Sequence, residues 1–171
     1  MEANRLRDPD AMEAMVREHY AAVYRFCARR IGPEAAQDAA QDTFVSAQRS
    51  LKRFDGRSSL STWLFGIAHN HCRNLARKNK REMLADDGWL CEEAMEPTTT
   101  TKEKQLVDRH TLREALAQLS PEHRDAVLLH EVEGLSYEEA GVVLGVPAGT
   151  VKSRLHYAFA SLRRTLTEGM A

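Results

Sequence analysis

Apolar positions recur at steps of three and four along almost the whole chain, the spacing that keeps side chains on one face of an α-helix. From Asp10, "DAMEAMVREHYAAVYRFCARRI" puts Met12, Met15, Val16, His19, Val23 and Phe26 on one side. Asp8 or Asp10 can cap this helix, and Gly32-Pro33 ends it. Pro33 suits the first turn of the next helix, "PEAAQDAAQDTFVSAQRSL", because its missing N–H would have no partner there. "DGRSS", Asp55 to Ser59, reads as a turn, and a third helix runs from about Ser61 through "TWLFGIAHNHCRNLARKNKR". Helical spacing resumes near Gln105, where Leu112, Ala115, Leu116 and Leu119 make a stripe, and "SPEHRDAVLLHEV" offers Ser120 as cap with Pro121 in the first turn. No convincing pair of strands is visible.

Between these halves the pattern breaks. Glu82 to Thr101 holds Glu82, Asp86, Asp87, Glu92, Glu93 and Glu96, no Lys or Arg, and ends in Pro97 and a run of threonines. Sparse apolar content and self-repelling charge predict a flexible acidic linker. The expected fold is therefore all-α, with two small helical domains at 8–81 and 105–168 joined by a linker at 82–104.

The most informative stretch is "LSYEEAGVVLGVPAGTVKSRL", Leu135 to Leu155. Ser136 and Glu139 form an S-x-x-E capping box that opens one short helix. Gly145 can take the positive φ of a tight helix-to-helix turn, and Pro147 pre-sets a second helix. Val151, Leu155, Phe159 and Leu162 are expected to be its buried stripe. Thr150, Lys152, Ser153, Arg154 and Tyr157 then lie on its other faces. This is helix-turn-helix chemistry: the start of the second helix meets base edges, Arg pairs with guanine, and Thr, Ser and Lys hold phosphates.

Charge complicates that reading. The chain has 25 Asp and Glu against 24 Lys and Arg, for a net charge of −1. Near neutrality does not suit a protein that coats DNA unaided. Basic residues gather locally, at Arg73 to Arg81 and at Lys152 to Arg164, and acid elsewhere offsets them. A protein that reads DNA while held by a larger partner fits this balance.

"LSPEHRDAVLLHEVEGLSYEEAGVVLGVPAGTVKSRLHYAFASLRR" closely resembles region 4 of bacterial sigma-70-type factors, most of all the small extracytoplasmic-function (ECF) group. The resemblance implies recognition of the −35 promoter element through Thr150, Lys152, Ser153, Arg154 and Tyr157. One departure is Ala140-Gly141, where the family usually has a bulky apolar residue and then alanine. "AAQDAAQDTFVSAQRSLKRFDGRSSLSTWLFGIAHNHCRNLARK" resembles region 2. There the resemblance implies that Asp38, Gln41, Asp42 and Phe44 dock on the clamp helices of the RNA polymerase β′ subunit. It further implies that Arg57, Ser58, Ser59, Trp63, Asn70, Arg73, Arg77 and Lys78 serve −10 recognition and promoter melting. Trp63 can offer a stacking face, although packing with Leu64 and Ile67 is its more ordinary fate. The family usually has Phe where Leu60 stands. The expected partners are core RNA polymerase (the β′ clamp helices and the β subunit), promoter DNA and an anti-sigma factor.

Several alternatives carry less. His69, His71 and Cys72 do not make a metal site, because His-x-His on a helix splays its rings apart and a structural zinc needs four converging ligands. No phosphate-cradling loop, nucleophile elbow or paired-carboxylate site is present, so neither an enzyme, a cofactor nor a small-molecule substrate is expected. A stand-alone dimeric regulator would need a dimerisation helix and a sensor pocket, and neither is evident. A pure interaction protein has no use for an intact "GTVKSRL". Cys27, Cys72 and Cys91 are odd in number and suggest no disulfide framework. With no apolar signal at the start and no membrane-length apolar run, the expectation is a cytoplasmic protein without membrane insertion.

Overall fold

The computed structural model describes residues 9–85 and 111–168. The elements described are helical, and the chain divides into two compact units on either side of Glu93 and Ala94. The first holds α1 (Pro9–Ile31), α2 (Pro33–Ser50), a 3-10 turn (Leu51–Arg53) and α3 (Leu60–Ala85). Helix α3 continues four residues into the stretch read as linker; the rest of that stretch lies outside the described residues.

In the first unit each helix packs on the other two. Helix α2 makes this possible with a face of small residues: Ala36, Ala39, Ala40, Thr43 and Ala47 are all fully buried. Small side chains let the backbones approach, and larger ones from the neighbours fill the space. Phe26 of α1 meets Phe65 of α3 edge-on at 5.5 Å, and Tyr20 of α1 stacks on Phe44 of α2 at 5.9 Å. The one hydroxyl on that face is satisfied locally, since Thr43 Oγ1 donates to the Ala39 carbonyl at 2.7 Å. Cys27 and Cys72 are fully buried free thiols. A hydrogen bond with Cys72 holds the Cys27 thiol below its ordinary pKa, against the opposing effect of burial.

The first described element of the second unit is helix α4, over 111–117. Next come α5 (Pro121–Val127), which runs into a π-turn (Leu128–Val132), then α6 (Tyr137–Leu144) and α7 (Ala148–Glu168). Ser120 caps α5 by accepting the His123 N–H at 3.3 Å. The Arg124 guanidinium reaches back and donates to the Leu116 and Leu119 carbonyls at 2.9 and 3.2 Å. It thereby caps the end of α4, adding to the Leu119 N–H that the Leu116 carbonyl already accepts at 3.2 Å.

Helix α7 packs on both α5 and α6. Its buried stripe is Val151, Leu155, Ala158 and Leu162. Phe159, expected in that stripe, is 40% exposed. Steps of four, three and four keep 151, 155, 158 and 162 on one line, and 159 lies a further 100° round. Leu112 is likewise exposed, because nothing in the described residues covers the first described turn of α4. Ala115 and Leu119 of the same expected stripe are buried.

Candidate nucleic-acid interface

The α6–α7 junction is built by its local sequence. Ser136 Oγ accepts the Glu139 N–H at 3.1 Å, and the Glu139 carboxylate accepts the Ser136 N–H at 2.9 Å, a complete capping box. Gly145 ends α6 at φ +68°, a left-handed conformation that costs most residues free energy. The Val146 N–H returns to the Gly141 carbonyl at 3.0 Å. Gly141 is needed for this return: a Cβ there would lie 2.6 Å from the Val146 carbonyl oxygen. The departure noted in the sequence therefore belongs to a turn that folds unusually close to its own helix. Thr150 and Val151 N–H groups both reach the Pro147 carbonyl, which starts α7.

Along the first half of α7, Lys152, Ser153 and Tyr157 are exposed and Thr150 and Arg154 half-buried, all off the Val151–Leu155 stripe. Tyr157 is 62% exposed. Ser153 is partly committed, its hydroxyl donating to the Thr150 carbonyl at 2.9 Å. The Lys152 ammonium lies over the Tyr137 ring, 5.0 Å from its centre. Such a face presents a guanidinium, an ammonium and a phenol at the mouth of a helix pair, groups suited to phosphates and base edges.

In the first unit the residues singled out from sequence fall in two places, with Phe44 buried and Ser58 and Trp63 half-buried among exposed neighbours. Asp38, Gln41 and Asp42 are exposed on one face of α2. Val45, one turn beyond Asp42 and 43% exposed, continues that face and escaped the sequence reading. Its signal was available, since an apolar residue at +3 and +4 from Asp42 and Gln41 shares their side of the helix. Phe44, expected with the docking residues, points inward, 7% exposed and stacked on Tyr20.

The second place comprises the 55–59 turn and α3. Asp55 organises the turn: its carboxylate accepts the Arg57 N–H at 3.1 Å and pairs with Arg57 Nε at 2.9 Å. Ser59 has a structural duty that the sequence reading missed, capping α3 by accepting the Thr62 N–H at 3.1 Å. Ser58 is half-buried beside it. Trp63 is also half-buried, its ring tilted against Phe54 at 5.0 Å, with Leu64 fully buried next to it. Further along α3, Asn70, Arg73 and Arg77 repeat at three and four on the exposed side, with Lys78 beside them. Arg73 donates to the Asn70 amide oxygen at 3.2 Å, and His71 bonds Ser46 of α2 at 2.9 Å. Among the described residues no group of three metal-ligating side chains converges, and no helix is long and apolar enough to cross a membrane.

Known proteins share this arrangement. The chain matches the family models Sigma-70 region 2 over residues 15–82 and Sigma-70, region 4 over residues 109–162. It is 33% identical over 168 residues to RNA polymerase sigma factor YlaC of Bacillus subtilis, spanning 95% of this chain and 96% of that protein. With ECF RNA polymerase sigma factor SigL of Mycobacterium tuberculosis it shares 35% identity over 162 residues, 92% and 89% of the two chains. The sigma factor RpoE of Bartonella quintana, solved in complex with the anti-sigma factor NepR, superposes with a TM-score of 0.78 at 30% identity, over 91% of this chain and 96% of that one. Matched in both units and along nearly its whole length, the chain belongs to the ECF group of sigma-70 factors, which act in transcription initiation and are not enzymes.

Proposed function

We propose that this sigma factor directs core RNA polymerase to promoters carrying a −10 and a −35 element. The observation that carries the proposal is the α6–α7 junction, where capping box, left-handed glycine and close return present Lys152, Arg154 and Tyr157 at the start of a supported helix. In this reading Arg154 reads a base of the −35 element, while Thr150, Lys152 and Ser153 hold the backbone beside it and Tyr157 lies along its edge. The 55–59 turn, with Arg57 and Ser58, contacts the −10 strand as it opens, and Trp63 backs that turn from its seat on Phe54. Asn70, Arg73, Arg77 and Lys78 follow the duplex upstream. The α2 face of Asp38, Gln41 and Asp42, extended by Val45, docks on a basic surface of the polymerase β′ clamp. Phe44 acts from behind, by fixing that helix on α1.

An anti-sigma factor is a further partner in this proposal, supported by the complex of the Bartonella quintana relative with NepR. A protein that works on polymerase and DNA is placed in the cytoplasm.

The test uses the full chain with core polymerase. Fragments selected from a randomised duplex pool are expected to share two spaced motifs. Asp42→Arg, checked for folding by circular dichroism, is expected to lose polymerase co-purification, because it sets like charge against a basic surface. A folded Asp42→Arg protein that still co-purifies overturns the α2 assignment, and a pool without shared motifs overturns the promoter reading.

A further inference from the structure

Lys152 is a long, exposed side chain, and holding such a chain in one place costs conformational entropy. Its ammonium nevertheless sits over a particular ring, that of Tyr137 at the first position of α6. That ring is itself held. Tyr137 stacks on His130, with ring centres 4.3 Å apart and planes 22° from parallel. His130 Nδ1 lies 2.7 Å from the Leu135 carbonyl oxygen. A carbonyl only accepts, so Nδ1 carries the proton and donates, and the imidazole is fixed in orientation. The π-turn sets this geometry. The Glu133 N–H reaches the Leu128 carbonyl and the Leu135 N–H the Leu129 carbonyl, both at 3.0 Å, a wider winding than an α-helix gives. The π-turn, the start of α6 and the start of α7 thus each supply one member of a His130–Tyr137–Lys152 stack.

We propose that Tyr137, backed by His130, is a positioning residue that holds the Lys152 ammonium at the start of α7 for one DNA phosphate. The proposal rests on the reading of α7 as the −35 helix. The face of an aromatic ring attracts a cation, and a phenol held by a stacked imidazole offers that face in a constant place. Pre-placing the ammonium lowers the ordering cost that Lys152 meets when DNA arrives.

The experiment compares Tyr137→Leu, Tyr137→Phe, Lys152→Ala and the Tyr137→Leu/Lys152→Ala pair. One readout is NMR of the free, full-length chain, in which ring current from Tyr137 shifts the terminal methylene protons of Lys152 upfield. That shift is expected to survive in Tyr137→Phe and vanish in Tyr137→Leu. The other readout is binding of the reconstituted holoenzyme to a promoter fragment selected by the wild type. Tyr137→Leu is expected to weaken binding about 2- to 5-fold, the range for an exposed cation–ring contact. Tyr137→Phe is expected to match wild type, and Tyr137→Leu to have no further effect once Lys152 is alanine. Methylene shifts unchanged in Tyr137→Leu overturn the proposal alone. An equal loss from Tyr137→Leu in the Lys152→Ala background does the same, since the tyrosine then acts on the helix junction at large. A Lys152→Ala holoenzyme that binds like wild type overturns both this proposal and the placement of Lys152 against DNA.

Discussion

Arg154 and Lys152 sit two positions apart on α7 and are expected to leave different marks on binding. Arg154, half-buried beside the Val151–Leu155 stripe, has a guanidinium whose fork can pair with both acceptors of one guanine. Arg154→Ala is therefore expected to remove about 1–3 kcal/mol of discrimination at one −35 position. Lys152→Ala is expected to weaken binding alike on every sequence and to lower the salt slope by about one unit. Holoenzyme titrations on matched and −35-mutated fragments across a salt series separate the two, and an unchanged −35 preference in Arg154→Ala would remove that arginine from base reading. Single residues are also where the sequence was hardest to read. Phe159 fits a step of four from Leu155 as well as Ala158 fits a step of three, and only packing against α5 and α6 makes the small residue the buried one. Ser59 read as the last residue of a polar turn; its capping role depends on the helix starting at Leu60.

At the scale of elements the sequence was far more legible. Ser136, Glu139, Gly145 and Pro147 mark the limits of α6 and α7 through interactions within a few residues, and Gly32-Pro33 marks the break between α1 and α2 in the same way. The π-turn at Leu128–Val132 was not legible, because it is a winding imposed by the burial of Leu128, Leu129 and Leu135 and has no residue signature of its own. Nor was the close return at Gly141, which exists only once the chain after Gly145 has turned back. Gly141→Val sets that approach against the better helix propensity of a residue with a side chain, which is worth less than about 1 kcal/mol. A Cβ at 2.6 Å from a backbone oxygen cannot be relieved by moving a flexible side chain. The substitution is expected to destabilise the second unit by about 3 kcal/mol, as overpacking of a tight site does. Denaturant unfolding followed by hydrogen exchange at α6 and α7 would show it, and stability equal to wild type would mean the turn has room to spare.

For the molecule as a whole, the near-zero net charge and the basic surfaces fit together. Arg73, Arg77 and Lys78 are exposed on α3, and Lys152, Arg163 and Arg164 on α7, while Asp38 and Asp42 face outward on α2. Of these, Arg73, Arg77, Lys78 and Lys152 lie where DNA is proposed, and Asp38 and Asp42 where a basic polymerase surface is proposed, in a chain whose total is −1. Alone, such a protein is expected to hold generic duplex DNA weakly, since few phosphates are neutralised at once. Joined to polymerase, the same contacts add to a grip already made. The most direct measurement is transcription in vitro: purified chain and core polymerase on a library of genomic fragments, with transcript 5′ ends mapped. Initiation is expected to appear only when the chain is added, at starts that share a −10 and a −35 motif, and to disappear with Asp42→Arg. A wild-type chain that binds polymerase yet yields no new starts, or yields starts without a common upstream motif, would contradict the account.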